Sequence, residues 1–298
     1  MFDKNHLMRS IFQTSGILLL LLLLGCGEHT SKKASSRQTE ARFRDYKVII
    51  SESDERDALG GDLSRVEIFK GKVLVYAMDG HRFEVGTRFG VEEIENTAPI
   101  GTDITGDGQP NLVISEYTGG AHCCHDLHIF EIGRNFRHIQ TIELEHSGAD
   151  FKNLDDDSAL ELPIDDWTFA YWNAAFAESP APEVILKYSE GQYRMAPKLM
   201  KKLPRRQAEL IETAAKIKLM PDWTVPDPTR VPPDLWREML DLIYTGNMAQ
   251  AWKLFDFAWP EGMSGKEKFF EELKAQLATS PYWEQIQDMN KNRSVEEP

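Results

Sequence analysis

No internal apolar run in these 298 residues approaches the roughly 18 that a membrane-spanning helix requires. The chain also lacks a Gly-x-Ser-x-Gly elbow, a His-Glu-x-x-His helix, a P-loop and a Gly-x-Gly-x-x-Gly turn, so no catalytic or nucleotide-binding motif announces a reaction. Positive charge is short as well. Lysine and arginine number 34 against 48 aspartate and glutamate, a formal charge of −14, which repels phosphate backbones and excludes nucleic acid as a partner class. Cysteine occurs only at positions 26, 123 and 124.

The one strongly apolar run is at the start. Lys4 and Arg9 precede Ile11 to Leu24, and the run closes on Leu23-Leu24-Gly25-Cys26. A basic region, a short apolar stretch and a small residue at its end have the order of a secretory signal. With cysteine in that place, the segment resembles a bacterial lipoprotein signal ending in a lipobox. The resemblance implies that residues 1–25 are removed, that Cys26 carries the lipid, and that the chain is exported and anchored to a bilayer through it. Gly27, in place of the aspartate that marks inner-membrane retention, favours the outer membrane. Losing residues 1–25 moves the formal charge from −14 to −15. Residues 26–44 are polar without apolar periodicity and read as a flexible tether.

From Tyr46 to about Ala196 the texture is that of strands. "YKVII", "SRVEIF", "KVLVYAM", "RFEVG", "NLVISEY", "DLHIFEI", "RHIQTIEL", "DWTFAYW", "EVILKYS" and "QYRMA" are short β-branched or aromatic runs. Lys70-Gly71 and Asp79-Gly80 supply tight turns, so an antiparallel meander is expected over residues 45–197. Period-two spacing puts Trp167, Phe169 and Tyr171 on one strand face, either as core or as a sugar-binding platform with Asp165 and Asp166 beside it. Residues 198–298 read as helical. Ala208, Ile211, Ala215 and Leu219 form one stripe, Gly246-Asn247 joins a helical hairpin, Ser264 and Glu267 suit a capping box, and Ser280-Pro281 starts a last helix. The expected fold class is mainly β followed by α.

Two acidic loops interrupt the strands. In the first, Asp103, Thr105, Asp107, the Gln109 carbonyl and Asn111 fall at positions 1, 3, 5, 7 and 9, with Gly108 at the sharp turn of position 6. In the second, Asn153, Asp155, Asp157, the Ala159 carbonyl and Glu161 fall at the same positions, with Ser158 replacing the glycine. Alternate residues of a tight loop can aim several oxygens inward at a hard cation. Each loop runs into a strand and not into the second helix of an EF-hand. Both resemble the FG-GAP or VCBS-type repeat of integrin-α-like propellers. That resemblance implies structural calcium at both loops and propeller-like blades, open or incomplete; a β-sandwich is the alternative. With two carboxylates, the first loop should bind weakly, at about 10⁻⁴ to 10⁻³ M.

The other cluster is "AHCCHDLH", with His122, Cys123, Cys124, His125 and His128. Three readings stand open: a vicinal disulfide, a zinc or copper site, or thiols in a turn. Adjacent residues have Cα atoms about 3.8 Å apart, less than the roughly 4.4 to 6.8 Å of ordinary disulfides. Along a strand at about 3.3 Å per residue, His122 and His128 stand about 20 Å apart, too far to share an ion unaided. On these grounds the chain is expected to be a membrane-anchored, calcium-stabilised binding or scaffolding module, with an envelope protein or polysaccharide as partner. A transition-metal or redox protein is the rival, and an enzyme acting on envelope polymers comes third.

Overall fold

The computed structural model describes residues 37–56, 62–88, 95–119, 124–224 and 231–291. All belong to a single compact unit, Ser36–Pro298. Three antiparallel sheets come first, each built of strands consecutive in the chain. The first holds β1 (Gln38–Phe43), β2 (Tyr46–Arg56), β3 (Asp62–Lys70) and β4 (Val73–Gly80). The second holds β5 (Arg82–Val85), β6 (Asn111–Tyr117), β7 (His125–Ile132) and β8 (Phe136–Glu145). The third is shorter: β9 (Leu162–Asp165), β10 (Glu183–Ser189) and β11 (Gln192–Met195). No closed barrel or propeller forms among the described residues.

The second sheet is covered on both faces. Leu112, Ile114, Phe130 and Ile132 meet Tyr46, Val48, Ile50, Val66 and Ile68 of the first sheet. From its other face Val113, Leu127, Ile129, Ile142 and Leu144 join a larger core with the third sheet and the helices. Double burial explains why "NLVISEY" is buried from Asn111 to Glu116 without polar alternation.

Six α-helices follow among the described residues: α1 (Pro197–Met200), α2 (Gln207–Lys218), α3 (Pro233–Tyr244), α4 (Met248–Ala258), α5 (Lys266–Leu277) and α6 (Trp283–Lys291). α3 and α4 form the hairpin at Gly246-Asn247, and Gly246 has the φ of +77° that such a reversal asks of glycine. None of the described helices is long and apolar enough to cross a membrane.

Four sequence expectations are corrected. Gln38–Phe43 is strand, not tether: it pairs antiparallel with β2 from Gln38↔Ser51 to Phe43↔Tyr46. The sequence hides it because no β1 side chain is fully buried, so it carries no apolar alternation. "DWTFAYW" is not a strand. Trp167–Phe169 is a 3₁₀ turn capped by Asp166, Phe169 lies in the core, and Tyr171 is exposed at a φ of +59°. With Phe169 buried and Asp166 facing inward, no flat platform of those three rings exists. On α2 the buried stripe is Leu210, Ala214 and Ile217, while Leu219 is 84% exposed. The helix therefore sits rotated from the expected stripe. Finally, α5 starts from Gly265 at a φ of +88° with no side-chain cap, so Ser264 and Glu267 form no box.

Candidate functional site: two interlocked acidic loops

The two acidic loops share four hydrogen bonds at matching positions. In each, the position-9 residue pairs through its backbone with the residue just before position 1: Asn111 N donates to the Thr102 carbonyl at 2.9 Å, and Glu161 N to that of Lys152 at 2.7 Å. The position-2 N–H donates to the position-9 side chain, Ile104 N to Asn111 Oδ1 at 2.9 Å and Leu154 N to Glu161 Oε2 at 2.7 Å. The position-4 N–H donates to position 1, Gly106 N to Asp103 Oδ1 at 2.8 Å and Asp156 N to Asn153 Oδ1 at 2.7 Å. The position-7 N–H donates to position 5, Gln109 N to Asp107 Oδ1 and Ala159 N to Asp157 Oδ1, both at 2.9 Å. Position 4 is left-handed in both, with φ of +71° at Gly106 and +62° at Asp156. Position 6 separates them: Gly108 has a φ of +82°, and Ser158 is not left-handed.

The loops also touch. Ser158 Oγ donates to the Gly106 carbonyl at 3.0 Å, and Leu160 N to the Ile104 carbonyl at 3.0 Å. Tyr193 Oη from β11 donates to the Ile104 carbonyl at 2.9 Å and lies 3.4 Å from that of Leu160. Burial first, then the negative charges of Glu161 and Asp103, push the Tyr193 phenol well above its ordinary value, so it remains a donor.

Their centres differ. In the second loop Asp155, Asp157 and Glu161 bring carboxylate oxygens within 4.8 Å of one another. Lys187 of β10 puts its ammonium among them, with Nζ 2.6 Å from Asp155 Oδ2, 2.6 Å from Asp157 Oδ2 and 2.9 Å from Glu161 Oε1. Burial alone would lower the Lys187 pKa, but the hydrogen bonds to Asp155 and Asp157 and the adjacent charge of Glu161 outweigh it and raise it above the ordinary lysine value. The resemblance implied a calcium ion at this centre; the three carboxylates lie close enough together to hold a metal ion, and in this arrangement the Lys187 ammonium stands among them.

In the first loop, no lysine or arginine among the described residues pairs with Asp103 or Asp107. Asp103 Oδ2 accepts from Gly108 N at 2.8 Å, and the Thr105 hydroxyl donates to Asp103 Oδ1 at 3.2 Å. Carboxylate and hydroxyl oxygens that accept one hydrogen bond keep a further lone pair, so Asp103, Thr105, Asp107 and the Gln109 carbonyl fit a hard cation. Asn111 does not. Its side-chain oxygen accepts from Ile104 N at 2.9 Å and from Thr105 N at 3.4 Å, which takes both lone pairs, and its amide donates to the Phe130 carbonyl at 3.4 Å. It braces the loop where a ligand was expected. The same reasoning shows why Glu161 differs: with two oxygens it braces Leu154 through one and faces the cation with the other.

Of the cysteine–histidine cluster, Cys124, His125 and His128 are among the described residues. Cys124 is disulfide-bonded, which leaves it no thiolate for zinc or copper. His122 and Cys123 lie outside the described residues, as does Cys26. His125 starts β7 beside Tyr117, ring centroids 5.4 Å apart. His128 lies deeper in β7 with both nitrogens engaged, Nε2 2.9 Å from Glu116 Oε2 and Nδ1 3.0 Å from Thr141 Oγ1. His128 is therefore no partner for a metal held by Cys124.

Sequence reasoning missed three features. Lys187 stands in the sequence only as one residue of a strand. The chain Glu116–His128–Thr141–His138 continues through Thr141 Oγ1 to His138 Nε2 at 3.2 Å. Burial would push Glu116 up, but the His128 hydrogen bond and the His81 N–H hold it below the ordinary carboxylate value. Third, Asp166 is only 3% exposed and accepts from Tyr244 Oη, Ser280 Oγ and Thr168 N.

No protein-family model matches the chain, and no solved structure matches it. An uncharacterized protein, y4bJ of Sinorhizobium fredii (strain NBRC 101917 / NGR234), is 32% identical over 80 residues. The match spans 26% of this chain and 13% of that protein's length.

Proposed function

We propose that the chain is an exported, lipid-anchored binding or scaffolding module of the cell envelope, with calcium held in the first acidic loop as a structural ion. One observation carries this reading: the two loops repeat the same three side-chain-to-backbone hydrogen bonds at the same positions. A pair of Asp-rich turns formed by chance has no reason to agree in all three. Each loop also enters a strand of an antiparallel meander, the arrangement of FG-GAP and VCBS-type blades. On this reading the three stacked meanders are blades of an incomplete propeller, and the helices cover the third. The anchor rests on the Leu23-Leu24-Gly25-Cys26 sequence. The partner is an envelope protein or a polysaccharide.

Thermal melting in calcium tests the ion. A ligand that binds only the folded state stabilises it by RT ln(1 + [L]/Kd), about 2.7 kcal/mol at one hundred times Kd. Raising calcium from zero to about 10 mM, above the weak extracellular range, should raise the Tm, and Asp103→Ala with Asp107→Ala should remove most of that gain. A wild-type melt indifferent to calcium over this range removes the ion from the first loop.

A further inference from the structure

We propose that Lys187 is the resident cation of the second acidic loop: its ammonium, carried on β10, takes the place of the divalent ion, and that loop admits calcium only when Lys187 is removed. This rests on reading both loops as cation loops. It changes what the second copy is for. The first loop is then an exchangeable site, and the second is a permanently filled one that gives the first a rigid wall.

The geometry argues for substitution and against a chance surface ion pair. Nζ lies within 2.9 Å of one oxygen from each of positions 3, 5 and 9, three of the four positions whose side chains face the ion in such loops. Glu161 is 0% exposed, and a carboxylate out of reach of water needs a lasting positive partner. Its Oε1 makes no well-directed hydrogen bond, yet lies 2.9 Å from Nζ, so charge and not a directed bond holds the two together. That is how an oxygen faces an ion.

The backbone is fitted to the same role. β10 pairs with β9 from Glu183↔Asp165 to Leu186↔Leu162, so the next step along both strands places Lys187 opposite Glu161. The lysine is therefore delivered by the sheet register and does not depend on the pose of a free surface chain. Its side chain keeps 20% of its surface exposed, against 31% for Asp155 and 51% for Asp157, so the mouth of the loop is open and the floor is closed. The filled loop then supports the first one through Ser158 Oγ to the Gly106 carbonyl and Leu160 N to the Ile104 carbonyl.

Calcium stoichiometry by equilibrium dialysis tests the proposal, with the wild type compared with Lys187→Met, which keeps the length of the apolar stem. In a background of Asp103→Ala and Asp107→Ala, the chain with Lys187 should bind no calcium and the Lys187→Met chain should bind one ion, lost again on Asp155→Asn. With the first loop intact, the counts should be one and two. Counts of zero and one with the first loop intact would keep Lys187 as the resident cation and remove calcium from the first loop, so the two readings fail separately. Calcium bound by the Lys187 chain in the disabled background, and lost on Asp155→Asn, overturns the proposal; so does a folded Lys187→Met chain that gains no ion. Should Lys187→Met fail to fold, reductive methylation of the wild type decides. Lys187 should stay unmodified while exposed Lys201 reacts fully, equally with and without calcium, and a Lys187 that becomes reactive when calcium is added has been displaced by it.

Discussion

Tyr244 at the end of α3 donates its hydroxyl to Asp166 Oδ2 at 2.7 Å, across 78 residues of chain. Ser280, before α6, donates to the same oxygen, and Gln276 Nε2 on α5 donates to the Thr168 carbonyl at 2.6 Å. One buried carboxylate after β9 thus ties α3 and the turn between α5 and α6 to the end of the third sheet, and the Gln276 bond to Thr168 adds α5 beside it. Burial and the charge of Asp166 push the Tyr244 phenol well above its ordinary value, so it donates throughout the physiological range.

Tyr244→Phe should therefore cost about 1.5 to 3 kcal/mol in urea unfolding, the range for a hydrogen bond to a charged group. Because Tyr244 and Ser280 share one acceptor, Tyr244→Phe with Ser280→Ala should depart from the sum of the single changes by at least about 0.5 kcal/mol. Strict additivity would mean that the two hydroxyls do not meet at Asp166.

Gly106 and Gly108 allow a matched comparison within one loop. Both are left-handed, so alanine at either should cost roughly 1 to 2 kcal/mol of backbone strain. A Cβ on Gly108 meets nothing within 4 Å, whereas one on Gly106 falls 2.5 Å from Ala159 N in the neighbouring loop. Gly106→Ala should therefore destabilise clearly more than Gly108→Ala, and the excess measures how tightly the loops abut. Equal losses in urea melts would leave the contact without weight.

Cys26→Ala tests the anchor. On the lipoprotein reading its sulfur carries the lipid, and several acyl chains on one cysteine hold a protein firmly where a single chain does not. The alanine variant should move from the membrane pellet to the soluble fraction. Persistence in the pellet through a carbonate wash would mean that something other than Cys26 holds the chain.

How much of this is readable in advance depends on where each feature's information sits along the chain. Nine of the ten quoted runs are strands, because β-branched alternation is local. β1 escapes because it is polar and mostly exposed, and β9 because four residues with Pro163 inside make no pattern. The acidic loops are legible, since their oxygens come from one short stretch at fixed spacing. Lys187 is not, because its place opposite Glu161 follows from a register between β9 and β10 that only the folded sheet defines. Asp166 is illegible for the same reason: its partners lie 78 and 114 residues away.

His138 gives the fold a pH dependence with a definite sign. Burial, and then the charge of His128, lower the His138 pKa below its ordinary 6.5. The unfolded chain then binds the proton more readily, so stability present at neutral pH is lost as the pH falls from the unfolded value through the folded one. Glu116 adds to the loss further down. Held below its ordinary 4.5, it stabilises the fold above that value and ceases to do so as pH falls through its folded pKa. Asp126, Asp165 and Glu145 work the other way: burial raises each of them, so protonation in acid favours the fold. The net slope is thus a difference of opposed contributions, and the informative quantity is the change on mutation. His138→Gln keeps a polar group near Thr141 and removes the titration. Relative to wild type, it should lose less stability between pH 7 and pH 5 in urea unfolding. A variant whose loss over that interval equals the wild type's would show that His138 titrates alike in the folded and unfolded chain.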